Sequence, residues 1–275
     1  MTRLTPAAYL DHIRTESARF RAVLADTSPT APVPTAPEWT AADLLWHVAA
    51  EVQHFWTYVL ESRPATPTEE TYPEPERPKD ADYQELLENF DRMNATFIET
   101  LEKTAPDEPT WSWSDDQTAA FTYRRQAHEI LIHRIDAELA AGALTPLDPA
   151  LAADGVEEVL DIFYGGKPGW ASFTGGDDFV RVDAVDTDTQ TWVQLGRVSG
   201  TSPDGERLED EPDLSVLPAD QIPAGTEPAV VVEGTAADLD AWLWRRLDDE
   251  RITVTGDTSV YDRFRALTNE PITDD

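Results

Sequence analysis

Between residues 5 and 142 apolar side chains recur every three or four positions in four separate runs, with proline-rich breaks between them. That period belongs to helices with one buried face. Tyr9, Ile13, Phe20, Val23 and Leu24 form the first stripe, entered through Thr5 and Pro6, an N-cap and first-turn pair. Leu44, Val48, Val52, Phe55 and Val59 form the second, behind Thr40 and Asp43 in capping-box positions. A third helix is expected from about Ala81 to Lys103, carrying Leu86, Leu87, Phe90, Met93, Phe97 and Leu101. The fourth begins near Gln117 and stops at Gly142, a residue suited to a left-handed C-terminal cap. The breaks "DTSPTAPVPTAPEW", "SRPATPTEETYPEPERPKD" and "TAPDEPTWSWSDDQ" read as loops. Four such helices make a bundle, an architecture that places metal sites between facing helices.

After "GALTPLDPAL" the pattern changes. A helix from Leu151 to Phe163 leads to strand-like runs "FVRVDAV", "TWVQLGRV", "AVVVEG" and "ITVTG". Thr235 caps a helix expected to reach Arg246, and a last helix covers Val260 to Leu267. Helices and strands mix without a strict βαβ alternation, which describes an α+β domain. The expected fold is therefore a four-helix bundle over residues 1–146 followed by a smaller α+β domain over 147–275. "GGKPGW" and "FTGGDD" lack the Gly-Lys-Ser/Thr ending of a phosphate loop and read as turns.

The chain has no cysteine, so it offers no disulfide, thiolate ligand or thiol nucleophile of its own. Any thiol chemistry needs a thiol supplied by a cofactor. A net charge of −33, acidic in both halves, repels nucleic acid and anionic membranes and favours solubility. No apolar run reaches spanning length and the N-terminus lacks a signal-peptide apolar region, so a cytoplasmic protein is expected.

The fourth helix carries the chemistry. Its "HEILIH" run, His128 to His133, is one residue longer than the zinc-protease HExxH motif. At about 100° per residue, His128 and His133 lie roughly 140° apart and cannot share an ion. Glu129 and His133 lie within about 40° of each other, one turn apart, and can. Asp136, three residues on, is placed to accept a proton from the His133 ring and orient it. His128 falls in the apolar stripe, as a core or cleft-edge residue. In the second helix His47, Glu51 and His54 share a face and offer one to three further ligands; His12, on the first helix, is left outside the expected set. Pairs of this kind also occur on ordinary polar helix faces. As a site, two imidazoles and one carboxylate suit Zn²⁺ or another divalent transition ion with one position left open.

"WTAADLLWHVAAEVQHFW" and "RRQAHEILIHRIDAELAAG" resemble the mycothiol-dependent maleylpyruvate isomerase family, above all in "HExxxHRxDAE", His128 to Glu138, and "WTxxDLxxH", Trp39 to His47. The family's N-terminal half is a DinB-like four-helix bundle, and the C-terminal part here looks like its sterol-carrier-like α+β domain. The resemblance implies His47, Glu129 and His133 as metal ligands and mycothiol, a small cysteine-containing sugar thiol of actinobacteria, as cofactor. It implies thiol addition to a small electrophilic substrate, ending in isomerisation or S-transfer. The family's Trp-Gly-Arg arginine falls on Arg246, where it is implied to hold a carboxylate of substrate or cofactor; here Arg245 stands in place of the glycine. Two other readings share the fold: a metal-containing protein that binds a small hydrophobic ligand, and a regulatory partner without catalysis. In each, affinity for the ion is expected to fall below the ordinary histidine pKa of about 6.5.

Overall fold

The structure, a computed structural model, describes residues 3–68, 70–78 and 82–269. The chain forms two compact units, one of Leu4–Pro146 and one from Leu147 onward. Among the described residues no helix is long and apolar enough to cross a membrane.

The first unit is the helical one. Helix α1 (Pro6–Ala25) starts at Thr5, whose hydroxyl accepts from the Ala8 amide, and it buries Tyr9, Ile13, Phe20 and Leu24. The first proline-rich break contains a small ribbon, β1 (Pro32–Val33) against β2 (Ala36–Thr40). The Thr40/Asp43 capping box opens α2 (Ala41–Trp46). That helix widens into a π segment, His47–Gln53, and resumes as α3 (His54–Ser62). Helix α4 (Tyr83–Lys103) is capped by Asp82 and Glu85; Ala81, its expected start, lies outside the described residues. Helix α5 (Ala119–Ala141) ends on Gly142 at φ +69°, the conformation that favours glycine.

Helix α5 is buried nearly all round, not along one stripe. Its polar residues therefore need partners, because a buried charge without one costs several kcal/mol, roughly. Arg134 donates Nε to Glu16 of α1 at 2.7 Å and Nη1 to Glu138 at 3.0 Å. Glu138 also accepts from the Thr145 amide at 2.8 Å, which fastens the chain leaving the bundle. Arg134 and Glu138 of the "HRxDAE" run thus tie α1 to α5, the latter through Arg19.

The second unit packs helices on a five-stranded sheet ordered β5-β4-β3-β6-β7. Helix α6 (Pro149–Glu158) runs on as a π segment, Val159–Tyr164. Strands β3 (Ala171–Ala184), β4 (Thr189–Thr201) and β5 (Arg207–Leu217) form an antiparallel meander. Strand β6 (Val230–Gly234) lies parallel to β3, followed by α7 (Ala236–Leu243), β7 (Thr253–Gly256) and α8 (Thr258–Thr268). Val180, Val182, Val193, Val230 and Val232 meet Trp242, Leu239 and Phe264 in the core. "FTGGDD" proves to be part of β3, where the register against β4 shifts between Gly175 and Phe179. Strand β5 went unread because it is acidic and holds Pro212. Both features are tolerated at a sheet edge, where charge also deters pairing with other chains.

Helix α7 stops at Leu243, short of Arg246, because the backbone turns over at Arg245, φ +59°. A side chain in that conformation costs about 1 kcal/mol, which glycine avoids. Glycine also frees the unfolded chain, which offsets about half of the gain. Arg245→Gly should therefore stabilise the protein by about 0.5 kcal/mol, read as a higher urea midpoint; a lower midpoint would show that the Arg245 side chain holds the turn.

Candidate metal centre

His47 opens the π segment, and Glu129 and His133 sit one turn apart on α5. One ligand atom from each lies within 4.8 Å of the other two. Glu129 Oε1 is 3.0 Å from His133 Nε2 and 3.9 Å from His47 Nε2. The second separation is too long for a hydrogen bond, so among the described residues the buried His47 Nε2 has no hydrogen-bond partner, only the ion-pair contact with Glu129. Such an atom costs about 1–3 kcal/mol if left so. The outer ring nitrogens are both held by carboxylates. His47 Nδ1 lies 2.7 Å from Glu51, and His133 Nδ1 lies 3.1 Å from Asp136. Asp136 in turn accepts from the Thr35 hydroxyl at 2.6 Å. Trp39 covers both rings, at 4.6 Å from His47 and 6.4 Å from His133 between centroids. The ribbon that supplies Thr35 and Trp39 is what the proline-rich break folds into.

Electrostatics prepare the three groups for a cation. Burial disfavours a charged Glu129, but Arg125 and His133 outweigh it and hold the carboxyl well below its usual range. Burial likewise disfavours protonated His47, yet Glu129 and Glu51 push its pKa up to about 9. His133 is raised as well, against burial, by Glu129 and Asp136. In the metal-free protein protons supply the positive charge that these carboxylates demand. Two neutralisable imidazoles, one ionised carboxylate and an orphaned inward nitrogen fit a divalent transition ion.

Residues 10–138 match the Mycothiol maleylpyruvate isomerase N-terminal domain, and residues 150–263 match the MDMPI C-terminal domain. The chain belongs to the mycothiol-dependent maleylpyruvate isomerase family. Two solved structures, of the mycothiol-dependent maleylpyruvate isomerase and of a histidine-to-alanine mutant of it, share the fold. Each is 15% identical, covers 93% of this chain and 96% of its own, and superposes with a TM-score of 0.55. Among curated proteins no relative matches.

Within this isomerase-family chain the expected ligand residues His47, Glu129 and His133 come together, and Asp136 contacts the last of them. His54 does not join them. It lies seven residues, about two turns and roughly 10 Å, along the helix from His47, and its Nδ1 meets the Tyr72 hydroxyl at 3.0 Å. His128 is buried beside Tyr9, its ring 6.2 Å away, and is outside the ligand set. Arg246 belongs to the second unit and follows α7 instead of ending it. Its Nη1 donates to the Trp244 carbonyl at 2.8 Å. Sequence reading missed Arg125, which donates Nη2 to Glu129 Oε2 at 2.6 Å. The i, i+4 spacing of "RQAHE" was the available signal.

Proposed function

We propose that this member of the isomerase family is a metal-dependent enzyme that uses a low-molecular-weight thiol, mycothiol by family, as its cofactor. The convergence of His47, Glu129 and His133, with no hydrogen bond to His47 Nε2 among the described residues, carries this reading. Zn²⁺ or another divalent transition ion bound there lowers the pKa of a coordinated thiol and makes thiolate available at neutral pH. Glu51 and Asp136 fix the imidazole tautomers by holding the outer nitrogens, so that both Nε2 atoms stay aimed inward. Trp39 covers the two rings and limits water on that side. The absence of cysteine leaves the sulfur to the cofactor.

Addition of the thiol's sulfur to an electrophilic alkene carbon turns the double bond into a single bond that can rotate. Loss of the same thiol then gives the cis–trans isomer, with no net gain or loss of atoms. Retention of the adduct gives S-transfer. Arg246 is proposed to hold a carboxylate of substrate or cofactor.

Metal-loaded protein should bind mycothiol with release of about one proton near neutral pH, followed in a weakly buffered titration. An S-methylated analogue should release none. Equal binding of mycothiol by metal-free protein would overturn the catalytic reading in favour of a ligand-binding one.

A further inference from the structure

The two oxygens of Glu129 are committed differently. Oε1 faces His133 Nε2 at 3.0 Å and His47 Nε2 at 3.9 Å, while Oε2 receives Arg125 Nη2 at 2.6 Å. We propose that Arg125 is a positioning residue that keeps Glu129 a one-oxygen ligand and so reserves a coordination position for the cofactor's sulfur. The inference rests on the metal-centre reading above.

Carboxylates bind cations through one oxygen or two. An oxygen bonded to a guanidinium at charge-assisted distance has one of its two lone-pair sites engaged and its charge partly offset, which weakens it as a second ligand. Arg125 cannot release it to water, because its side chain is 2% exposed. Separation would take its carboxylate from a buried guanidinium, a costly change. His47, His133 and one oxygen make three ligands, the number that leaves a four-coordinate ion one open position. A second oxygen would close it. The guanidinium also offsets the charge of Glu129, leaving the ion more positive toward an incoming anionic sulfur. The thiol's proton leaves to solvent as the sulfur binds.

A residue that merely steadied Glu129 would, when lost, weaken metal binding by about 10–100-fold. The proposal predicts another pattern. In cobalt-loaded Arg125→Met, chelator competition should show metal held at least as tightly as in the wild type. Its visible absorption should drop from the strong four-coordinate to the weak five-coordinate form. Titration with 2-mercaptoethanol, read by the thiolate–cobalt charge-transfer band, should show affinity lower by about tenfold or more. Arg125→Lys, which keeps a charged donor, should retain the four-coordinate spectrum. Unchanged spectrum and thiol affinity in Arg125→Met would overturn the proposal, as would loss of metal with unchanged thiol affinity in the loaded fraction. X-ray absorption on zinc-loaded wild type decides the matter without a variant: two carboxylate oxygens at bonding distance from the ion refute it. Wild-type protein that takes up no cobalt at all fails the metal-centre reading itself, and with it this inference.

Discussion

His133→Ala and His47→Ala should each strip the protein of stoichiometric metal, whereas His128→Ala and His12→Ala should keep it. Protein prepared without chelator should carry close to one divalent ion per chain, measured by elemental analysis after desalting. Each ligand histidine supplies one of three converging atoms. Its loss should cost more than the roughly 100-fold that removal of an outer partner costs. His128 lies against Tyr9, outside that set. Full metal retention by His133→Ala would remove α5 from the site. The same experiment has a pH dimension that the structure changes. An unperturbed histidine would compete with metal only below about pH 6.5. With its pKa up to about 9, His47 is protonated at neutral pH in the metal-free protein and must lose that proton as metal binds. Apparent metal affinity should therefore fall as pH drops from about 9, not from 6.5. The raised His47 pKa also stabilises the metal-free fold below the unfolded histidine pKa, a contribution lost as pH rises through about 9. Flat affinity between pH 9 and 7 would show that His47 holds no proton there in the metal-free protein; the alanine variant then decides whether it is a ligand.

Arg134→Ala should destabilise the helical unit by about 3–5 kcal/mol. Arg134 is 2% exposed and bonds both Glu16 and Glu138, the latter fully buried. Alanine would take the cation from Glu16 and one of two from Glu138, which keeps Arg19 at 2.7 Å and also holds Thr145. A loss of that size is a large part of the roughly 5–15 kcal/mol that keeps a domain folded. Urea unfolding followed by circular dichroism measures it. Glu16→Gln, which removes one charge and keeps a hydrogen-bonding side chain, is the milder companion should the alanine variant fail to fold. Losses below about 1 kcal/mol in both would mean that water replaces the network.

Local physics made much of this protein legible without its fold. Thr5, Thr40 and Gly142 mark helix ends because caps satisfy backbone groups within one turn. Glu129, His133 and Asp136 share one side of α5 because their spacing alone determines it. Other features depend on residues distant in sequence. His47 meets α5 while His54 meets Tyr72, and no periodicity announces the π turn between them. Strand β5 exists because β4 offers it an edge, against its own charge and its proline. Ionised Glu129 and protonated His47 arise from burial together with the meeting of α5 and the His47 segment. The sequence by itself determined the helices, the family and which residues of α5 could hold an ion, since backbone geometry relates neighbours directly. Only the tertiary structure decided which atoms meet and which protons they keep, because desolvation and Coulomb forces act across space between residues the chain keeps far apart.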